Sequence, residues 1–417
     1  MCDYSAWSDY FFPLYLEYMK NVKKKNGKFR IGITLYGLTW GGATRRVISL
    51  ARGFMERGHD VKIIIVEKGQ YLDNDTEGLE IIELEHRFLG HFLKNAPKKR
   101  KLDFSKYPLA RYLREKKIDI LMSGGNNAHL AAISAKQLSK TDIPLILRLS
   151  NPLKASLGQK QKLRRKIRFL KSCRYYPKAD GFIAVSKSTA QDISDVTGIP
   201  LEKIDVVYNP MFTPEMMEKA REKISHPWLK ARNKNEIPVI VAAGRLVVQK
   251  NFELLINAFA RAVEKRDMRL IILGEGKRRK HLKKLIADLD LANRVDLHGV
   301  VPNPMAYMAR ADLFCLSSRW EGLPGVLIEA LSAGCPVIST DCPGGAAEIL
   351  DHGKFGILTP VDDEKALARS ILKALDTAWD SSKLRKRARF FSVEKRDMRL
   401  IILGEGKRRK HLKKLIA

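Results

Sequence analysis

Short aliphatic and β-branched runs alternate with amphipathic stretches along most of this chain, and the series occurs twice. The first set is Phe29 to Thr34, Val61 to Val66, Ile118 to Met122, Ile143 to Leu147 and Gly181 to Val185. Runs this short and apolar read as strands buried on both faces, and the stretches between them as crossover helices, so a parallel sheet is predicted. From about residue 206 the series restarts with Val239 to Ala243, Leu270 to Leu273, Val295 to His298, Leu313 to Leu316 and Val337 to Thr340. The expected architecture is α/β, with one unit over 29–205 and a second over 206–392, Asn209-Pro210 marking the hinge. Such units face each other across a cleft and bind ligand at the carboxyl ends of their strands. A length of 417 residues is enough for two domains, each with its own core.

The richest chemistry lies between Phe314 and Leu350, FCLSSRWEGLPGVLIEALSAGCPVISTDCPGGAAEIL. Here the pattern predicts a strand over Asp312 to Leu316, a tight loop over Glu321 to Gly325, a helix over Val326 to Ala333 stopped by Gly334, and a strand over Cys335 to Thr340. Glu321 is thereby placed at the mouth of the sheet and Glu329 about two turns along, so the two carboxylates reach different parts of one elongated ligand. Taken alone they are a loop acid and a solvated helix residue. A second element, Ala243-Gly244-Arg245-Leu246 followed by Lys250, sets two cations at a strand end, where each is otherwise a structural salt-bridge partner. A third, Tyr36 to Ala43, follows the first strand and opens a helix, so its Gly41 and Gly42 amides offer a phosphate cradle.

Together these residues resemble the E-x7-E signature of the retaining glycosyltransferases with the GT-B fold, the large family that moves sugars from nucleotide diphosphates. The loop, the helix, the Gly334-Cys-Pro-Val strand and the Gly344-Gly345 turn all recur in the family's order, and the resemblance covers residues 29–392. It implies two Rossmann-like domains, Glu321 at the donor sugar and Glu329 on the nucleotide ribose hydroxyls. Arg245 and Lys250 become the cations at the diphosphate, with Gly41, Gly42, Gly274, Gly322, Leu323, Pro324, Gly325 and Val326 around the nucleotide sugar. His129, in the loop Ser123 to His129, is the candidate for a hydrogen bond to the donor sugar, with Asn127 as the alternative and a surface or helix-capping role as the other reading. Arg148 to Pro152 ends the next strand and is a further acceptor-side candidate. The resemblance implies no cofactor and no metal, only a nucleotide-diphosphate sugar, UDP in preference, as co-substrate. Front-face attack is the family's proposed course, the leaving phosphate taking the acceptor's proton. The sequence around Asp341 to Gly345 and Glu348 to Leu350 is most similar to bacterial enzymes that build surface polysaccharides or lipid-linked oligosaccharides, so a saccharide or lipid-linked acceptor is expected.

Other motifs weigh little. Asp73-Asn74-Asp75 and Asp288-Leu289-Asp290 have the D-x-D form of metal-dependent transferases, but the first sits in a polar loop and the second in an amphipathic helix. Gly274-Glu275-Gly276 lacks the third glycine of a dinucleotide fingerprint, since Arg279 stands in its place. His59 is expected to support the start of the second strand.

Charge changes the picture of partners. The formal net charge of +31 implies an anionic surface, and Lys23 to Lys25, Lys98 to Lys101 and the cations from Lys160 to Arg174 concentrate it in the first half. Residues 160–176 read as a basic amphipathic helix, with Leu163, Ile167, Leu170 and Cys173 at helical spacing. Residues 1–28 add Trp7, Tyr10, Phe11, Phe12, Tyr15 and Tyr18 before a lysine run, a composition suited to a membrane interface. No zinc-finger spacing or aromatic RNA-binding motif is present, so a specific nucleic-acid partner is not expected. No apolar run approaches the ~18 residues of a spanning helix. Five scattered cysteines lack metal-ligand spacing, and acids interrupt any signal core, so a cytoplasmic protein, peripheral on the inner face of the membrane, is the expectation.

Residues 393–417 repeat residues 263–287 letter for letter. A single identical pair is not a solenoid; it reads as a recent duplication or a recombination or assembly scar. The copy supplies +6 of the net charge, so basicity survives its removal. Two rival readings stay open beside the transferase: a basic nucleic-acid- or membrane-binding protein on a transferase fold, and a catalytically impaired duplication product.

Overall fold

In the computed structural model, the described residues are 28–38, 42–67, 76–85, 96–126, 128–158, 163–230 and 237–392. The aromatic N-terminal segment, Gly41, Asn127, Asp73-Asn74-Asp75 and the repeated tail 393–417 lie outside them.

Two parallel sheets carry the fold. The first contains β1 (Arg30–Leu35), β2 (Asp60–Ile65), β3 (Glu80–Glu83), β4 (Ile120–Ser123), β5 (Leu145–Leu149), β6 (Gly181–Ala184) and β7 (Ile204–Val206) in the order β3-β2-β1-β4-β5-β6-β7. The second contains β8 (Val239–Ala243), β9 (Arg269–Leu273), β10 (Val295–Gly299), β11 (Leu313–Leu316), β12 (Val337–Thr340) and β13 (Ile357–Thr359) in the order β10-β9-β8-β11-β12-β13. Among the described residues, helices connect most successive strands, as parallel pairing requires. By contacts, the described residues form two compact units, 28–148 with 174–182, and 149–173 with 183–392.

The second sheet shows why its inner strands lack polar alternation. Val239, Val241, Ala243, Ile271, Phe314 and Val337 enter one buried cluster, while Ile240, Ala242, Leu270, Ile272, Cys315 and Ile338 enter another. Successive side chains point to opposite faces, and helices cover both, so inner strands such as β8 and β11 are apolar throughout, while the edge strand β10 alternates through Asp296 and His298. β9 is paired on both sides, Leu270 with Ile240 of β8 and with Val295 of β10.

In the second sheet the order reverses between β8 and β11, and in the first between β1 and β4. Helices leave on opposite faces at such a reversal and open a crevice at the strand carboxyl ends. For the second sheet that crevice is bounded by the residues after Ala243 and after Leu316.

The fold corrects details of the sequence expectation. β3, β7 and β13 were not foreseen, being three or four residues long. The helix that Gly334 stops begins at Gly325, so Glu329 stands one turn along it and not two. Asp288 closes the helix Arg279–Asp288, and Asp290, at φ 52°, lies in the turn beyond it.

Candidate active site

At the reversal of the second sheet, three side chains converge. Lys250 Nζ lies 2.6 Å from Glu321 Oε1, and the Ser318 hydroxyl donates to the same oxygen at 2.6 Å. Glu321 is 7% exposed. A carboxylate so enclosed needs partners to stay charged, and a lysine plus a hydroxyl supply them. Lys250 is fixed at its other end as well, because its carbonyl accepts the Ser317 hydroxyl at 2.9 Å. Its stem passes Gly244, where a Cβ would come within 3.1 Å of Lys250 Cε. Arg245, the next residue, is exposed. The turn after Lys250 is held by Asn251, at φ 49°, whose amide donates to Asp362 Oδ1 at 2.7 Å; Arg319 pairs with that carboxylate at 2.9 Å.

Main chain forms much of the surrounding wall. Gly274, at φ 139°, sits so close to Gly244 that a Cβ would lie 2.0 Å from the Gly244 carbonyl oxygen. Gly344, at φ 128°, presses on Glu321 in the same way, also at 2.0 Å. Backbone bonds lock these loops together: Glu321 N–H to Pro343 O at 2.9 Å, and Gly345 N–H to Gly322 O at 2.7 Å. Gly322 in turn faces the Ser150 carbonyl, where a Cβ would stand at 1.9 Å. Only glycine permits such approach.

The helix Gly325–Ala333 starts from this wall. Pro324 is its N-cap, no side chain caps it, and no acid stands in its first turn. Such a start directs amide donors and the positive end of the helix dipole outward, a receptive place for an anionic oxygen. Leu323 is buried beneath, while Gly325, Val326 and Glu329 are half-buried. Gly334, at φ 78°, ends the helix as the sequence predicts.

Candidates in the first unit are arranged differently. Gly42 is exposed and begins the helix Gly42–Glu56. His129 is fully buried at the start of the helix His129–Ser139, its Nδ1 2.7 Å from the Ser123 hydroxyl and its ring edge-on to Tyr176 at 5.3 Å. Arg148, near the carboxyl end of β5, is buried and donates to the Gly124 carbonyl at 3.4 Å. Desolvation, with Arg46 nearby, lowers its guanidinium to about 10. His59 supports the strand start as expected, its Nδ1 accepting the Phe29 N–H at 3.3 Å.

Sequence reasoning missed Ser318 and Glu348. Ser318 had a signal, two residues past a buried strand and three before Glu321. Glu348 stood out only as part of a family-like stretch, with nothing to show its role: its carboxylate accepts the N–H groups of Lys187 at 2.9 Å and Ser188 at 2.8 Å, opening the helix Lys187–Thr197, and the Tyr208 hydroxyl at 2.6 Å. His226, Asp296 and His298 cluster at metal-like spacing. Yet His226 Nδ1 accepts the Trp228 N–H, so the neutral ring carries its proton on Nε2 and donates it to Asp296, and Tyr307 engages His298 Nε2. Those atoms are occupied with one another. Burial pushes the Cys315 and Cys335 thiols up, and Cys342, beside Glu321, to about 12, so none of the three is a thiolate nucleophile near neutral pH.

Two family models cover most of the chain: Glycosyl transferases group 1 over residues 227–391 and Glycosyltransferase Family 4 over residues 40–213. The chain is 31% identical to the Campylobacter jejuni "N-acetylgalactosamine-N,N'-diacetylbacillosaminyl-diphospho-undecaprenol 4-alpha-N-acetylgalactosaminyltransferase", over 86% of this chain and 92% of the relative. It is 28% identical to the lipopolysaccharide core biosynthesis glycosyltransferase LpsE of Rhizobium meliloti, over 79% and 84%. Among solved structures, Anabaena HepE in complex with UDP-glucose aligns with a TM-score of 0.66 at 20% identity, over 93% of this chain and 98% of that one. That last likeness is one of fold, here GT-B.

Proposed function

The chain belongs to the group 1, family 4 type glycosyltransferases, and from that membership we propose that it moves a hexose or N-acetylhexosamine from a UDP-sugar to a saccharide on a lipid-linked or lipopolysaccharide acceptor, with retention and without a metal. The observation that carries the donor reading is the Lys250–Glu321–Ser318 cluster beside the open start of the helix Gly325–Ala333. UDP is favoured by the HepE complex, and the acceptor class by the names of the Campylobacter and Rhizobium relatives.

In this scheme Arg245, Lys250 and the amides at Gly325 and Val326 neutralise the diphosphate. As the bond from the sugar C1 to the β-phosphate oxygen breaks, these groups stabilise the charge left behind, usually the largest electrostatic contribution in such a site. The acceptor oxygen bonds to C1 on the same face and passes its proton to that phosphate oxygen, so the protein supplies placement and no nucleophile. Glu321 holds the sugar, Glu329 the ribose hydroxyls, and Gly274 and Gly322 to Val326 shape the walls. Fixed cations do the work a divalent ion does in other transferases. His129 enters as a positioning residue for the Ser123–Gly125 strand end.

Isothermal titration of UDP, GDP and ADP into the full chain and into Glu329→Ala tests the donor site. Selective UDP binding, weakened at least about tenfold in the variant, is expected from loss of one charged hydrogen-bond partner. A folded chain that binds none of the three overturns the reading. Turnover that EDTA abolishes, or a product of inverted anomeric configuration by NMR, overturns the metal-free retaining course.

A further inference from the structure

The helix Leu163–Tyr175 turns its apolar stripe outward. Leu163, Ile167 and Leu170 are 74%, 44% and 57% exposed. At ~100° per residue they share, with Arg174, one stripe about 60° wide. On the opposite side Ser172 is fully buried. A helix serving only its own fold points such a stripe at the core.

Its borders are cationic. Lys166 lies on one side of the stripe and Lys171 on the other, both exposed, with Arg165 and Arg174 also at the surface. The helix contains no Asp or Glu at all. Aliphatic residues in the middle with cations at both margins match a surface that is apolar within and anionic at its rim. Nucleic acid satisfies the cations and leaves three aliphatic side chains without a place. Among the described residues no helix is long and apolar enough to cross a membrane, so this element would lie in the plane.

We propose that the helix Leu163–Tyr175 docks this protein in the plane of an anionic phospholipid bilayer, Leu163, Ile167 and Leu170 entering the acyl boundary and Lys166, Lys171 and Arg174 resting on headgroup phosphates. The inference stands on this helix alone, independent of the donor reading, and would bring a transferase to an acceptor carried on lipid.

Co-sedimentation of the full chain with phosphatidylcholine vesicles, with and without phosphatidylglycerol, is the test. Binding is expected to require the anionic lipid and to weaken with salt. The triple variant Leu163→Ser, Ile167→Ser, Leu170→Ser is expected to lose at least about tenfold in partitioning, and Lys166→Gln with Lys171→Gln several-fold. Because all five side chains are already exposed, the variants are expected to fold as the wild type does, and their melting midpoints and circular dichroism serve as the control. No binding by the wild type, or equal binding by the triple variant, overturns the proposal. So does a triple variant whose only change is loss of self-association or of oligonucleotide binding.

Discussion

Lys250, Glu321 and Ser318 concentrate the chemistry into three side chains within hydrogen-bonding reach, and each substitution there has a distinct signature. Glu321→Gln keeps an oxygen for Ser318 but removes the charge opposite Lys250; we expect turnover to fall about 100-fold or more, judged from the loss of one preorganised electrostatic group, while UDP affinity changes little. Lys250→Ala strands the enclosed Glu321 carboxylate with a single hydroxyl, so it should lower both UDP affinity and thermal stability. His226 gives a pH prediction. Its imidazole is held below its ordinary value, chiefly by burial, and so is that of His59, again chiefly by burial. The unfolded chain therefore binds protons first as pH drops below about 6.5, and stability should decline from there until the folded-state rings titrate. Melting curves from pH 7 to pH 5 should show that decline, with a shallower slope in His226→Gln. The positions of Glu321, Lys250 and Arg245 just beyond strand ends were legible in sequence because the apolar runs before them end at Ala243 and Leu316. His226 was not, since the burial that keeps it neutral comes from packing against His298 and Tyr307, more than seventy residues away, and outweighs the opposing pull of Asp296.

Elements were legible in proportion to their length and to the punctuation at their ends. Ten strands were anticipated to within about two residues, because buried parallel strands are continuous apolar runs. Glu80–Glu83 has acids at both ends, and Ile204–Val206 and Ile357–Thr359 are too short for any period to show. The end of Gly325–Ala333 was written in Gly334, whereas the start of Lys187–Thr197 was written partly elsewhere, in Glu348. That dependence can be measured. Glu348→Ala removes the acceptor for two helix-start amides and the Tyr208 hydroxyl, and should cost about 1–3 kcal/mol in urea denaturation. Glu348→Gln, keeping an acceptor oxygen, should cost less.

At the scale of the molecule, two parallel sheets followed from counting apolar runs. The grouping of 149–173 with 183–392 did not, because it depends on meetings such as Ser150 with Gly322, distant in sequence and marked by no residue type except a glycine. The tail 393–417 duplicates a segment whose first copy already forms the interior strand β9 and most of its helix, so truncation after Ser392 is expected to preserve UDP affinity and the melting midpoint. A drop in either would show that the copy has acquired a role of its own. The glycines at the strand ends reach furthest. Where Gly274 abuts Gly244 and Gly344 abuts Glu321, the strand ends meet through peptide groups that mutation cannot trim. Descendants of this chain can therefore alter donor choice only by exchanging the few side chains that project past them, which makes the site slow to diversify at its floor and free to do so at its rim.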